Sequence, residues 1–114
     1  MTKKFQVLIL TEPTESNEDA YNNYYDNIHL DEVLATTQLL SAQRFKVTAQ
    51  AGEPAPLPYL AVYEAEGESA EAVLEDLNAR RSERQQSDTL NKRTGRIWVF
   101  EAIGPKHTKE KLKS

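Results

Sequence analysis

Between residues 24 and 34 the chain reads YYDNIHLDEVL, and His29 is the only histidine outside the extreme C-terminal segment. On a helix, Asp26 lies three residues and Tyr25 four residues before it, so both side chains reach adjoining surface. Asp26 could accept a proton from one ring nitrogen, fix the tautomer and leave the other nitrogen free as a base. Tyr25 could supply a hydroxyl donor. A base near neutrality, an orienting group and a donor are what general acid–base catalysis requires. The same Asp-x-x-His spacing also occurs on helices whose histidine is merely solvated, and tyrosines in such numbers also serve as core and rim packing.

The element that must position these groups is a helix beginning near Ser16 or Asn17, with Glu18 and Asp19 in its first turn, where the helix dipole favours anions. Its apolar positions do not form one stripe. At about 100° per residue, Ala20, Tyr21, Tyr24, Tyr25 and Ile28 fall on one arc, and Leu30, Val33 and Leu34 on another. No straight helix buries both sets. The pattern predicts a break or kink close to His29, with the imidazole at the joint.

Four stretches read as strands from their β-branched and aromatic content: 5–11, 39–50, 59–65 and 96–104. A second helix starts near Glu68, and Ala70, Val73, Leu74, Leu77 and Arg81 follow the three-four spacing of one buried stripe. The polar stretch SERQQSDTLNK reads as helix end plus loop. The order β-α-β-β-α-β predicts an α+β, ferredoxin-like protomer: a four-stranded antiparallel sheet with both helices on one face. Yet both faces of the strands are apolar. Tyr59, Ala61 and Tyr63 oppose Leu60 and Val62; Ile97 and Val99 oppose Trp98 and Phe100. Two helices cover only one face, so a second copy of the chain is expected on the other, sheet against sheet, as a homodimer.

The 114 residues fit one domain, spanning 1–105, with a tail at 106–114. The last ten residues carry a net +3, which leaves −7 on the rest of a chain whose total is −4. An acidic body argues against nucleic acid as a partner. No apolar run is long enough to span a bilayer, and the N-terminus turns polar too soon for a signal peptide, which points to a cytoplasmic protein without a membrane partner. The absence of cysteine excludes disulfides, thiolate metal sites and cysteine nucleophiles. There is no HxxH, HxxxH or HExxH spacing for a metal, no glycine-rich phosphate loop, no GxSxG and no dinucleotide fingerprint.

Several further residues bear on chemistry. Arg44 could hold an anionic substrate group by a two-pronged contact, or pair with Asp26 or Glu64. Trp98 and Phe100 could line a cavity for an aromatic ligand, or serve the core or a dimer interface. Glu64 and Glu101 sit in otherwise apolar strands, where burial would raise their pKa, or else lie at an edge. His107 belongs to the tail.

The segments NNYYDNIHLDEVL, SAQRFKV, PYLAVYEAEG and IWVFEAIGP, in that order, cover residues of about 5 to 105 in the manner of one group. Together they resemble the EthD-like family of the dimeric α+β barrel superfamily. The resemblance implies a ferredoxin-like protomer whose sheets pair across a dimer, with a small cavity between sheet and helices into which His29 points. Carried over by motif, Tyr25, Asp26, His29, Arg44, Tyr59 and Tyr63 match its recurring positions. The chain departs from the pattern at Asp31 and at Thr37-Gln38, where the family usually has proline and Pro-Gly, and these changes bear on the joint after the helix and on the cavity mouth.

The function expected from these readings is a small homodimeric enzyme of catabolism with no bound organic cofactor. It would be a lyase, isomerase or cyclase acting on a small aromatic or polyketide-like carbonyl compound. His29 would move a proton, Asp26 would orient it, and Tyr25 or Tyr63 would bind the carbonyl oxygen, with Arg44, Tyr59 and Trp98 around the substrate. Two other readings fit the same residues: an oxygenase, cofactor-independent or with haem on His29, and a non-catalytic ligand-binding accessory protein.

Overall fold

The computed structural model describes residues 2–112; Lys113 of the expected basic tail lies outside the described residues. Four strands form one antiparallel sheet: β1 (Lys3–Thr11), β2 (Ser41–Lys46), β3 (Tyr59–Gly67) and β4 (Arg96–Glu101), in the order β2-β3-β1-β4. The first helix runs through three pieces: α1 (Glu18–Tyr24), a π turn (Tyr25–His29) and α2 (Leu30–Ala35). The second helix is α3 (Ala70–Ala79), followed by a 3-10 turn at Arg81–Glu83. This is the ferredoxin-like α+β fold, with the longest strands, β1 and β3, at the centre of the sheet. The strands are shorter at the edges than their composition suggests: β2 stops at Lys46 and β4 at Glu101. A four-residue helix, Lys109–Leu112, lies in the segment read as a tail, where His107 is exposed.

Register explains the two-faced strands. Val7 stands opposite Tyr63 on one side and Val99 on the other, Phe5 opposite Ala65, and Ile9 opposite Ala61 and Ile97. Those residues face the helices. Val7 and Tyr63 are fully buried there, with Tyr21 and Val33 descending from the first helix and Val73 and Leu77 from α3. The opposite face carries Leu8 between Val62 and Trp98, Leu60 between Leu10 and Phe45, and Phe100 beside Gln6. The first helix and α3 both pack on the other side. Trp98 and Phe100 pack edge to face at 6.4 Å, and both remain about half exposed, as does Phe45.

Helix α3 starts as its sequence dictates: the Ser69 hydroxyl accepts the Ala72 amide proton at 3.1 Å. The first helix starts differently. Asn17 occupies the N-cap position but its side chain caps nothing. Its amide instead donates to the Thr14 hydroxyl at 2.8 Å, inside a tight turn in which Ser16 adopts a left-handed φ of 65°.

At the kink the chain does not break. It accommodates one surplus residue, and the Leu30 amide bonds back to the Tyr25 carbonyl, five residues away. The wide turn rotates everything after it. Tyr21, Tyr24 and Tyr25 pack on the sheet from the first piece, and Val33 does so from the second. That is how one helix buries two arcs that a straight helix would hold apart.

Candidate functional site

The π turn has a local consequence that governs the site. Residues five apart diverge by about 140° on an α-helix and come into line on a π turn. Tyr24 and His29 are five apart. Their rings stack with centroids 5.1 Å apart, and the Tyr24 hydroxyl meets His29 Nδ1 at 2.9 Å. The same hydroxyl donates its single proton to the Gln85 carbonyl at 2.8 Å. It therefore accepts from Nδ1–H, and the neutral imidazole is the Nδ1-protonated tautomer with a lone pair on Nε2. Nε2 has no hydrogen-bond partner among the described residues.

The structure thus corrects the orienting role expected for Asp26. Its carboxylate accepts from Arg44 Nη1 at 2.9 Å and is more than half exposed. Arg44 is not open for a ligand either. It bonds Asn22 Oδ1 at 2.8 Å and lies over the rings of Tyr21, Tyr25 and Tyr59 at 5.4, 4.9 and 5.2 Å. Tyr59 donates to Glu18 at 2.5 Å. Tyr21 shares a hydrogen bond with Thr11, and burial pushes its phenol up to about 12. These groups form a polar cluster between the sheet and the start of the first helix, and its tyrosine pairs contribute roughly 0.5–1.5 kcal/mol each.

The cavity lies on the other side of His29. It encloses about 290 Å³ between the helical layer and the β4 edge of the sheet. Ile9, Val33, Leu77, Leu90 and Ile97 supply apolar wall, and Tyr24 and His29 form one side. Arg81, Arg84, Lys92 and Arg96 supply positive charge, and no carboxylate lines it. Of the site residues expected from sequence, only His29 lines this space. Tyr25 touches the imidazole edge-on at 4.9 Å without lining the cavity. Tyr63 is fully buried beneath, its hydroxyl unpartnered and its pKa raised by burial. Trp98 lies on the opposite face of the sheet.

The loop from Arg84 to Gly95 builds the mouth, and both sides of the fold hold it. Toward the helix, Arg84 Nε donates to the Thr36 hydroxyl at 2.7 Å, the Gln85 amide to Glu32 at 2.9 Å, and Tyr24 to the Gln85 carbonyl. Toward β1, the Thr14 amide bonds the Thr89 carbonyl at 2.7 Å and the Asn91 amide bonds the Glu12 carbonyl at 3.0 Å. Thr36 stands at the C-terminal end of the first helix. The Thr36 hydroxyl gives its proton to the Glu32 carbonyl and so is free to accept from Arg84.

The electrostatics follow from this packing. Burial, with the nearby Arg84 and Arg81 cations, lowers the His29 pKa to about 4, against a smaller opposing effect of Glu32. The imidazole is neutral at physiological pH. Burial also raises the Tyr24 phenol, so it stays a proton donor to Gln85. Among the described residues no group of three or more His, Asp or Glu side chains is arranged to hold a metal ion. No helix is long and apolar enough to cross a membrane.

Fold and site together define a ferredoxin-like protein with a neutral histidine facing a cationic, apolar-walled cavity. No protein-family model matches the chain, and neither curated protein sequences nor solved structures give a significant match.

A folded-state pKa below the unfolded value of about 6.5 makes the unfolded chain bind more protons between roughly pH 6.5 and 4. The stability that neutral His29 contributes is complete above that window and is lost as pH falls through it. The loss is on the order of 3 kcal/mol. Urea midpoints measured from pH 7 to 4 should fall more steeply for the natural protein than for His29→Gln. Parallel curves would contradict the assignment.

Proposed function

We propose that this chain is an EthD-like member of the dimeric α+β barrel superfamily and a small acid–base enzyme of the lyase, isomerase or cyclase type. Its substrate is a small aromatic or polyketide-like carbonyl compound. The observation that carries this reading is the tautomer of His29. Tyr24 holds Nδ1–H, and the Nε2 lone pair belongs to a residue lining an apolar-walled cavity.

The step common to all three reaction types is enolisation. Nε2 takes a proton from the carbon beside the carbonyl, the electrons of that C–H bond form a carbon–carbon double bond, and the carbonyl π pair moves onto the oxygen. An imidazole with a pKa near 4 is a weak base at rest. Negative charge growing on the substrate oxygen offsets the repulsion from Arg84 and Arg81 and strengthens the base as the proton moves. Return of the proton at a second carbon completes an isomerisation. Bond formation or cleavage at the enolate gives cyclase or lyase chemistry.

The low resting basicity of His29 favours one second reading, a ligand-binding accessory protein without turnover. The two readings separate in one experiment. Small phenols, β-keto acids and lactones are screened by thermal shift, and each ligand that binds is assayed for turnover with the natural protein, His29→Gln and Tyr24→Phe. The enzyme reading expects binding by all three proteins. Turnover should fall roughly 100- to 10,000-fold in His29→Gln and less in Tyr24→Phe, which loses the orienting hydroxyl but keeps the base. Binding without turnover in the natural protein would establish the accessory reading.

The uncovered sheet face supports a homodimer built sheet against sheet in the cytoplasm. Phe45, Trp98 and Phe100 are each about half exposed, so a partner packed there would take three large apolar side chains out of water. A recess of about 710 Å³ beside Phe100, Leu40 and Glu64 offers room for a partner's side chains. Light scattering should give twice the chain mass, and Trp98→Lys with Phe100→Glu should halve it. A natural protein that scatters as a 12.9 kDa monomer would rule the dimer out.

A further inference from the structure

Arg84 is an unusual group for the place it occupies. The residue is 7% exposed, yet among the described residues no carboxylate lies within salt-bridge distance of it. Its Nε and Nη2 groups donate to neutral oxygens, the Thr36 hydroxyl at 2.7 Å and the Leu77 carbonyl at 2.8 Å. Nη1 has no protein partner among the described residues, and the side chain lines the cavity. Taking a guanidinium out of water is unfavourable unless a counter-charge offsets the lost hydration. Asp76 and Glu32 offset this charge only from beyond salt-bridge distance, and Arg81 adds charge of the same sign. Arg81, Lys92 and Arg96 stand at the rim of the same cavity.

From this arrangement we infer that the cavity is an anion site: it binds a small organic acid whose carboxylate pairs with Arg84 and whose apolar body packs against Ile9, Leu77 and Ile97. The inference deepens the proposed enzymatic reading by naming its substrate class, and it rests on that reading only for turnover, not for binding. Arg44, the residue whose position in sequence suggested an anion clamp, is already paired with Asp26. Arg84 offers the same chemistry with no carboxylate in salt-bridge contact among the described residues. A carboxylate docked on it is charge-assisted and geometrically matched to the planar guanidinium. The rim cations draw anions toward the mouth even though the chain as a whole is acidic.

The test uses matched pairs that differ in charge alone: benzoate against benzamide, and 3-methylbutanoate against 3-methylbutanamide, titrated calorimetrically into the full chain. The expected result is saturable binding of at least one carboxylate with Kd of about 1 mM or tighter, and at least tenfold weaker binding of its amide. Arg84→Met should weaken the carboxylate roughly 10- to 100-fold, and Arg84→Lys by an intermediate factor. If Arg84→Met fails to fold, the charge-matched pairs on the natural protein and the loss of affinity in Arg81→Gln with Lys92→Gln still decide the matter. Equal affinity for acid and amide would overturn the proposal, and so would no carboxylate binding at all. His29→Gln separates the two claims: carboxylate binding should survive in it while turnover disappears.

Discussion

One surplus residue in the first helix organises this molecule. Without the π turn, Tyr24 and His29 would point away from each other, and Val33 would leave the core. With it, the helix lays three tyrosines on the sheet, turns, and then buries Val33. The Tyr24 hydroxyl comes to lie between an imidazole nitrogen and the Gln85 carbonyl. A π turn gives up regular α-helical hydrogen bonding over its span, so its persistence here is matched by what it permits: a buried aromatic cluster and an oriented histidine.

From that hydroxyl the constraint spreads into the loop. Gln85 is bonded at both its carbonyl and its amide by side chains of the first helix, and its neighbour Arg84 is fixed by Thr36 from the end of the same helix. The guanidinium is thereby carried into the protein and held beside His29. Histidine and arginine then act on each other. Burial, reinforced by the Arg84 cation, keeps the imidazole neutral, and the neutral imidazole adds no positive charge to a cavity that already holds Arg84 and Arg81. An anion entering the cavity changes both, because it compensates Arg84 and raises the proton affinity of His29 together.

The fold was legible in the sequence because it rests on local composition and helical periodicity. The strands stand out by their β-branched and aromatic content, α3 repeats every three to four residues, and the order of elements selects the ferredoxin-like arrangement. Even the joint at His29 showed, since two apolar arcs cannot share one straight helix. The site was less legible. Neighbours at three and four residues pointed to Asp26 and Tyr25, but the joint is a π turn, and there the partner is five residues away. Arg44 was a reasonable anion clamp until its three tyrosines and Asp26 were in place around it. Arg84 lay in a polar stretch with no periodicity. Its burial depends on bonds to residues 7 and 48 positions distant in sequence, which local patterns do not carry.

The most direct test of this account is the protonation state of the His29 ring, read from its nitrogen chemical shifts in two-dimensional NMR at neutral pH, with His29→Gln to separate it from His107. The account requires a neutral ring with the proton on Nδ1 and a bare Nε2, changing toward the opposite tautomer or a mixture in Tyr24→Phe. A ring protonated on Nε2 alone, or a charged imidazolium at pH 7, would contradict it.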